Sequence, residues 1–406
     1  MAPLTVPQGS RPGDEVVDLL ARLVTFETES RTPNAALVEF CADYATRAGA
    51  TARVVPGAPG RSNLHLRFGP DTPGGVLLAG HTDVVPAGSG WSSDPYRLTE
   101  AEGKLYGRGT ADMKGFIAVA LALGAGGDHR RLQAPLHVAL SYDEEIGCVG
   151  VAGLLDDLSG QPACRPEAVV VGEPTMMRLC VAHTGKVAYR VLVTASAAHS
   201  SEARHRPSAI SAATRLCTEI HALNTPDDPS RGFASANVGT IEGGTALNVL
   251  SSRCELTFET RFDASVDSAE LLAPVRATMD QLDRDLAAVG GSMAGEQIVG
   301  YPALATPPSS PAVELLSAVV DGSPPGAIDF GCEGGLYAQH LGVPTVILGP
   351  GSIGHAHRPD EFVTRDQLQR CQRVLADTVR TFCCSEEPAT TPSPARSPNP
   401  NVHATD

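Results

Sequence analysis

The sequence has 406 residues, of which 46 are acidic and 31 basic, so its formal net charge is −15 at pH 7. At roughly 150 residues per domain this length predicts two or three domains, and the acidic charge excludes nucleic acids and anionic membrane surfaces as principal partners. The sequence contains no apolar run near the ~20 residues of a membrane span and no visible secretory signal, so we expect a cytoplasmic protein.

The first elements in chain order alternate between helix and strand patterns. Apolar residues at helical spacing predict helices over 14–24, 34–47 and 113–123. Four short apolar runs rich in valine and leucine are typical of strands buried on both faces of a parallel sheet, and they cover residues 75–80, 136–140, 168–171 and 345–348. This alternation predicts an α/β fold with a mixed, largely parallel sheet and helices on both faces.

The middle of the chain has a different pattern. It reads as strand, helix, two strands, helix and a weak strand, at 186–194, 207–224, 235–241, 254–262, 268–289 and near Gln297. This order is typical of an α+β, ferredoxin-like layer inserted into the first domain. We therefore predict a catalytic domain over 1–185 and 297–384, an inserted domain over 186–296, and a disordered tail rich in proline and serine over 385–406.

Potential metal ligands follow each of the four apolar runs directly. These residues are His81 and Asp83, then Glu144 and Glu145, then Glu173, and finally His355 and His357. A fifth segment, GRGTADMKG, places Asp112 before a predicted helix. In open α/β sheets ligands bind beyond the carboxyl ends of the strands. Histidine and carboxylate ligands favour zinc, with cobalt or manganese as alternatives, and two such ions can share one water. The ten cysteines form no CxxC pair, which argues against a thiolate zinc site.

Five motifs in order, HTDVVP, GRGTADMKG, DEEIG, GEPT and GPGSIGHAHRPDEF, resemble the M20 family of dinuclear zinc peptidases and deacylases over about residues 17–381. The resemblance implies that His81 and Glu173 hold one zinc, that Glu145 and His357 hold the other, and that Asp112 bridges them. The family pattern selects His357 rather than His355, which would then be a rim residue.

The same resemblance assigns roles around the two metals. Glu144 would be the general base that activates the shared water, just outside the ligand shell. Asp83 would accept a hydrogen bond from the second ring nitrogen of His81. The peptide bond after Asp112 is expected to be cis.

The inserted domain resembles the family's lid, which usually forms a homodimer. The resemblance implies that His199 crosses the dimer interface and donates a hydrogen bond to the developing oxyanion. Asn248 and Arg261 match positions that hold the polar groups and the α-carboxylate of the substrate. Two departures from the usual pattern, Thr184 where lysine is common and Cys332 where threonine is common, bear on substrate identity.

The activity implied is hydrolysis of the amide bond of a small N-acyl amino acid, with N2-acetylornithine as the leading substrate in arginine biosynthesis or a related pathway. A carboxypeptidase, a dipeptidase or a deacylase of another N-acyl amino acid is the alternative within the enzyme class. An inactive relative that serves as a binding or scaffold protein is the alternative outside it. A nucleotide-binding protein would require a GxGxxG or P-loop segment, which the sequence lacks.

Overall fold

The computed structural model describes residues 14–224 and 232–384, so the predicted tail over 385–406 lies outside the described residues. The helices are α1 Asp14–Val24, α2 Ala35–Arg47, α3 Lys114–Gly126, α4 Ala152–Ser159, α5 Ala209–Ala222, α6 Ser268–Leu271, α7 Ala273–Ala287, α8 Pro311–Val320, α9 Gly334–Leu341 and α10 Arg365–Cys383. The strands are β1 Thr51–Pro56, β2 Ser62–Phe68, β3 Val76–His81, β4 Thr99–Ala101, β5 Lys104–Tyr106, β6 Leu136–Ser141, β7 Ala168–Val171, β8 Cys180–His183, β9 Gly185–Thr194, β10 Ala234–Gly243, β11 Arg253–Phe262, β12 Ser292–Tyr301, β13 Leu304–Ala305, β14 Gly326–Ala327, β15 Thr345–Ile347 and β16 Phe362–Thr364.

The largest sheet has the strand order β1-β2-β6-β3-β7-β15-β8-β13, with β14 also paired to β8. The four strands predicted from the apolar runs lie side by side at its centre, because β3 pairs in parallel with both β6 and β7, and β7 pairs in parallel with β15. Antiparallel strands such as β1 and β2 lie toward its edges. The predicted mixed, largely parallel sheet is therefore confirmed.

Helices cover both faces of this sheet. Successive residues of β3 point to opposite faces, and Leu78 joins a core with α1, α3 and α10, whereas Leu77 and Ala79 join a second core with α4 and α9. Strands buried on both faces need apolar residues at every position, which explains why these runs lack alternation. Because the central strands are parallel, their carboxyl ends meet at one edge.

A separate four-stranded antiparallel sheet has the order β10-β11-β9-β12, and α5 and α7 pack against it. The helix predicted over 268–289 is interrupted at Leu272. Pro274 has no N–H to continue the helix that precedes it, but it fits the first turn of a new one. The weak strand expected near Gln297 is a full strand at the sheet edge, and it extends past the predicted domain boundary at 296. The domain boundaries stay a prediction.

Among the described residues, we find no helix with the length and apolar character that crossing a membrane requires.

Candidate metal centre

The structure brings five predicted ligands together at the carboxyl edge of the large sheet. His81 ends β3, Glu145 and Glu173 lie in the loops after β6 and β7, His357 lies in the loop after β15, and Asp112 precedes α3. Their ligand atoms form two clusters, His81 with Asp112 and Glu173, and Glu145 with Asp112 and His357. Within each cluster the atoms lie within 4.8 Å of one another. Asp112 belongs to both.

The two carboxylate oxygens of Asp112 face different histidines. Oδ1 lies 3.0 Å from His81 Nε2, and Oδ2 lies 3.3 Å from His357 Nε2. The same two nitrogens have a second carboxylate nearby, since Glu173 Oε1 lies 3.9 Å from His81 Nε2 and Glu145 Oε2 lies 2.9 Å from His357 Nε2. This geometry allows one carboxylate to bridge two cations.

The ring orientation of His81 leaves Nε2 available as a ligand. Its Nδ1–H donates to the carbonyl oxygen of Asp83 at 2.9 Å, and a carbonyl can only accept. The sequence-based prediction gave this role to the Asp83 carboxylate, whose nearer oxygen lies 3.6 Å from Nδ1. That prediction is corrected here, since the backbone carbonyl is the acceptor.

The Asp83 carboxylate has other partners. It accepts hydrogen bonds from the backbone N–H groups of Glu144 and Glu145, at 3.1 and 3.2 Å, and from the Ser30 hydroxyl at 2.7 Å. Backbone donors buried at the end of a strand need acceptors. Asp83 therefore fixes the turn that carries Glu144 and Glu145.

Glu144 is buried and belongs to neither ligand cluster. Burial, with the nearby carboxylates of Glu173 and Glu145, holds its pKa well above the ordinary value, although the charge of His81 opposes this. Cys148 donates its thiol hydrogen to Glu144 Oε1 at 3.4 Å. A carboxyl group of raised pKa beside a ligand cluster is suited to accept and return a proton.

The carboxylates of the cluster shift the pKa of both histidines. Burial alone would lower the pKa of His81, but its hydrogen bond to Asp112 and the charges of Glu144, Asp112 and Asp83 hold it well above 6.5. Hydrogen bonds to Asp112 and Glu145 raise the pKa of His357 to about 10. Burial raises the pKa of Glu173 and of Glu145. The buried carboxylates thus favour positive charge at both imidazole positions.

This donor set fits metal binding. Buried carboxylates require compensating positive charge, and histidine and carboxylate are zinc ligands, with carboxylates also suited to manganese. Each of the two clusters offers three protein ligands around a shared Asp112. His355 belongs to neither cluster, and its ring lies 4.2 Å from that of Phe362.

The sequence-based prediction missed the residue that holds Asp112 in place. Both oxygens of the buried Glu361 carboxylate accept backbone N–H groups of the loop before α3, from Gly109 at 3.0 Å, Ala111 at 2.9 Å and Asp112 at 3.1 Å. The buried Arg108 guanidinium donates to the same carboxylate at 2.7 Å. Glu361 lies in the HRPDEF motif and Arg108 in GRGTADMKG, but neither motif reveals this contact. The peptide bond after Asp112 is cis, as expected.

The three predicted residues of the inserted domain do not bond to the ligands of their own chain. Within the described residues, none of His199, Asn248 and Arg261 has a hydrogen bond or ion pair with the five ligands. His199 is exposed and Nδ1 accepts the Ser201 N–H at 3.2 Å. Asn248 is also exposed, and its backbone carbonyl accepts the Ser200 N–H at 3.0 Å. Arg261 is half-buried, 3.2 Å from Glu259 Oε1.

Comparison with known proteins places this geometry in a family. Residues 77–381 match peptidase family M20/M25/M40. The chain belongs to this family. It is 32% identical over 382 residues to acetylornithine deacetylase of Proteus mirabilis, covering 89% of this chain and 94% of that protein. It is 31% identical over 378 residues to acetylornithine deacetylase of Pasteurella multocida, covering 88% and 93%.

Solved structures of the family share the fold. An M20 family metallo-carboxypeptidase from Sulfolobus solfataricus superposes with a TM-score of 0.74 at 15% identity, covering 90% of this chain and 99% of that one. The aminopeptidase PepT from Bacillus cereus gives a TM-score of 0.71 at 19% identity, covering 90% and 98%. With the family membership, the ligand clusters identify a metal-dependent amidohydrolase.

Proposed function

We propose that this M20 enzyme uses two zinc ions to hydrolyse the amide bond of N2-acetylornithine, giving ornithine and acetate, in arginine biosynthesis or a related amino-acid pathway. The observation that carries the proposal is the Asp112 carboxylate, which belongs to both ligand clusters. The relatives named acetylornithine deacetylase support the choice of substrate. The net charge of −15 is compatible with a cationic side chain such as that of ornithine.

We assign His81 and Glu173 to one ion, Glu145 and His357 to the other, and Asp112 to both. When bound, the ions would polarise the amide carbonyl and lower the pKa of a water held between them. Glu144, buried beside both clusters, would take a proton from the attacking water and later return it to the leaving amine. Asp83 would hold Glu144 and Glu145 in position through their backbone N–H groups.

The inserted domain supplies the remaining groups in this proposal. His199 is exposed and makes no contact with the ligands of its own chain, which suits a role in a homodimer where the partner subunit's His199 donates a hydrogen bond to the oxyanion. Arg261 would hold the substrate α-carboxylate through its guanidinium fork, and Asn248 would hold another polar group. The predicted cytoplasmic location stays a prediction.

A substrate panel tests the proposal. The purified protein with added zinc would be assayed on N2-acetylornithine, N-acetylcitrulline, N-succinyl-diaminopimelate and simple dipeptides, with product analysis. We expect the highest kcat/KM for N2-acetylornithine. A higher kcat/KM for dipeptides would overturn this proposal and identify a dipeptidase. If the metal-loaded protein hydrolyses none of these compounds, a binding protein is favoured.

A further inference from the structure

A second group of potential metal ligands lies away from the candidate centre. It consists of His65 on β2, His137 on β6, and Cys164 in the short turn Pro162–Cys164, and all three side chains are buried. One ligand atom from each lies within 4.8 Å of the others. In the antiparallel pair of β2 and β6, Ala139 lies opposite His65. His137 is two residues from Ala139, so both imidazoles lie on the same face.

The hydrogen bond between the two imidazoles leaves one ring nitrogen without a partner in the described part of the chain. His65 Nε2 and His137 Nδ1 lie 2.9 Å apart, so one of them donates to the other. The remaining nitrogen of His137, Nε2, is buried and has no hydrogen-bond partner among the described residues. Whichever tautomer is present, a polar atom is left unpaired in the interior, which is unfavourable. The proximity of the three buried ligand atoms, and not this nitrogen, points to a ligand site.

We propose that His65, His137 and Cys164 form a third metal site, for an ion that prefers imidazole and thiolate ligands, such as Zn²⁺. Two histidines and one cysteine are zinc ligands in known sites, and a fourth position can take water. With Zn–N bonds of about 2.0–2.1 Å, tetrahedral geometry requires a nitrogen separation of about 3.3 Å. The two rings would therefore separate by a few tenths of an ångström.

The protonation state of the histidines suits this role. Burial, together with the charges of Arg53 and Arg67, lowers the pKa of His65 to about 4. Burial and the neighbouring His65 lower that of His137 to about 3. Both shifts favour the neutral ring, which is the form that binds a metal. Burial raises the pKa of Cys164, so an ion must displace its thiol proton.

Ion pairs reduce the positive charge that the two nearby arginines place at the site. Arg53 pairs with Asp157 at 2.6 Å, and Arg67 pairs with Asp71. A Cys164 thiolate would add a further negative charge. The electrostatic environment therefore permits a divalent cation.

The position of the site indicates a stabilising role. His137 is the second residue of β6, which ends at Ser141 just before Glu144, and residues 137–141 span about 13 Å. An ion here would link β2, β6 and the turn at Cys164 without contacting the substrate. We expect it to raise the thermal midpoint of unfolding and to leave turnover unchanged.

Cobalt substitution tests the site directly, because only a thiolate ligand gives a near-ultraviolet thiolate-to-cobalt charge-transfer band. Full-length protein stripped with a chelator would be titrated with Co²⁺. We expect the band in the wild type and in Cys371→Ser, a buried cysteine elsewhere, and not in Cys164→Ser or His137→Gln. Absence of the band in the wild type at saturating Co²⁺, or its persistence in Cys164→Ser, overturns the proposal.

Zinc counting separates this site from the proposed catalytic centre. Zinc-loaded Cys164→Ser should bind one ion fewer per chain than the wild type, whatever the number at Asp112. Equal zinc content in the two proteins overturns the third site. Asp112→Asn should lower the zinc content yet keep the cobalt band, so failure of one site is distinguishable from failure of the other. If Cys164→Ser does not fold, His65→Gln provides the same comparison.

Discussion

At the scale of single residues, the candidate centre depends on carboxylates with different tasks. Asp112 faces both histidines, Glu144 lies outside both clusters, and Asp83 and Glu361 accept backbone N–H groups. All four are acidic and buried, yet their partners differ. Chemical type alone therefore does not assign their roles, and substitutions that remove charge while keeping shape are the appropriate tests.

Replacing Glu144 with glutamine should remove the general base without removing a ligand. We expect kcat on N2-acetylornithine to fall by roughly 10²- to 10⁴-fold, with zinc content unchanged. Steady-state kinetics and metal analysis on the same sample measure both. A variant with normal kcat would show that another group accepts the proton, and a variant without zinc would place Glu144 among the ligands.

Replacing Glu361 with glutamine should destabilise the loop that carries Asp112. The NH₂ group of glutamine would face backbone N–H donors, and the buried Arg108 would lose its counter-charge. We therefore expect a loss of about 3–5 kcal/mol in the free energy of unfolding. Urea denaturation measures this loss. Glu100→Gln is the matched control, because the ion pair of Glu100 with Arg365 is partly exposed and should contribute about 0–1 kcal/mol. Equal losses would contradict the assigned role of Glu361.

At the scale of elements, β8 and α9 are joined by a histidine that must stay neutral. His183 Nδ1–H donates to the Thr184 carbonyl at 2.9 Å, and Nε2 accepts the Gly335 N–H at 3.1 Å. Burial lowers the pKa of His183 from 6.5 to about 4. Protonation would place a hydrogen on Nε2, where it would face the N–H of Gly335 at the start of α9 and break this hydrogen bond.

This contact predicts a pH dependence of stability. Between pH 6.5 and about 4 the unfolded chain binds a proton at His183 that the folded chain does not, so stability is complete above pH 6.5 and falls as the pH drops toward 4. The expected loss is roughly 3 kcal/mol. Urea titrations of wild type and His183→Gln across this range measure it, and an identical pH profile in both proteins would rule out His183 as the source.

At the scale of the whole molecule, the proposed active site needs two subunits. Glu144 and the metal ligands come from one chain, while His199 lies exposed on the inserted domain. In a symmetric dimer each site would then combine Glu144 of one protomer with the partner subunit's His199. Size-exclusion chromatography with light scattering should give twice the mass of the chain.

Mixing two inactive variants tests this shared site. Glu144→Gln and His199→Ala should each be nearly inactive alone. After subunit exchange at equal concentration, half of the dimers are mixed and each carries one intact site, so about one quarter of wild-type activity should return. No recovery after demonstrated exchange would place His199 outside the partner's site.

The sequence determined the fold class, the central strands and the residue types at their ends, because hydrophobic periodicity is a local property of the chain. Periodicity was sufficient to predict helix α1 and the buried strands β3, β6, β7 and β15. Local pattern did not locate the break at Leu272, where a single proline interrupts a continuous apolar spacing.

Only the tertiary structure decided which of these side chains lie next to one another. Asp112 faces two histidines, Asp83 accepts the amides of Glu144 and Glu145, Glu361 holds the Asp112 loop, and Cys164 joins the histidines of two adjacent strands. These partners are separated by tens to hundreds of residues. Their proximity depends on the spatial order of the strands in the sheet and on the pairing of each buried backbone donor with an acceptor. Local spacing in the sequence encodes neither of these.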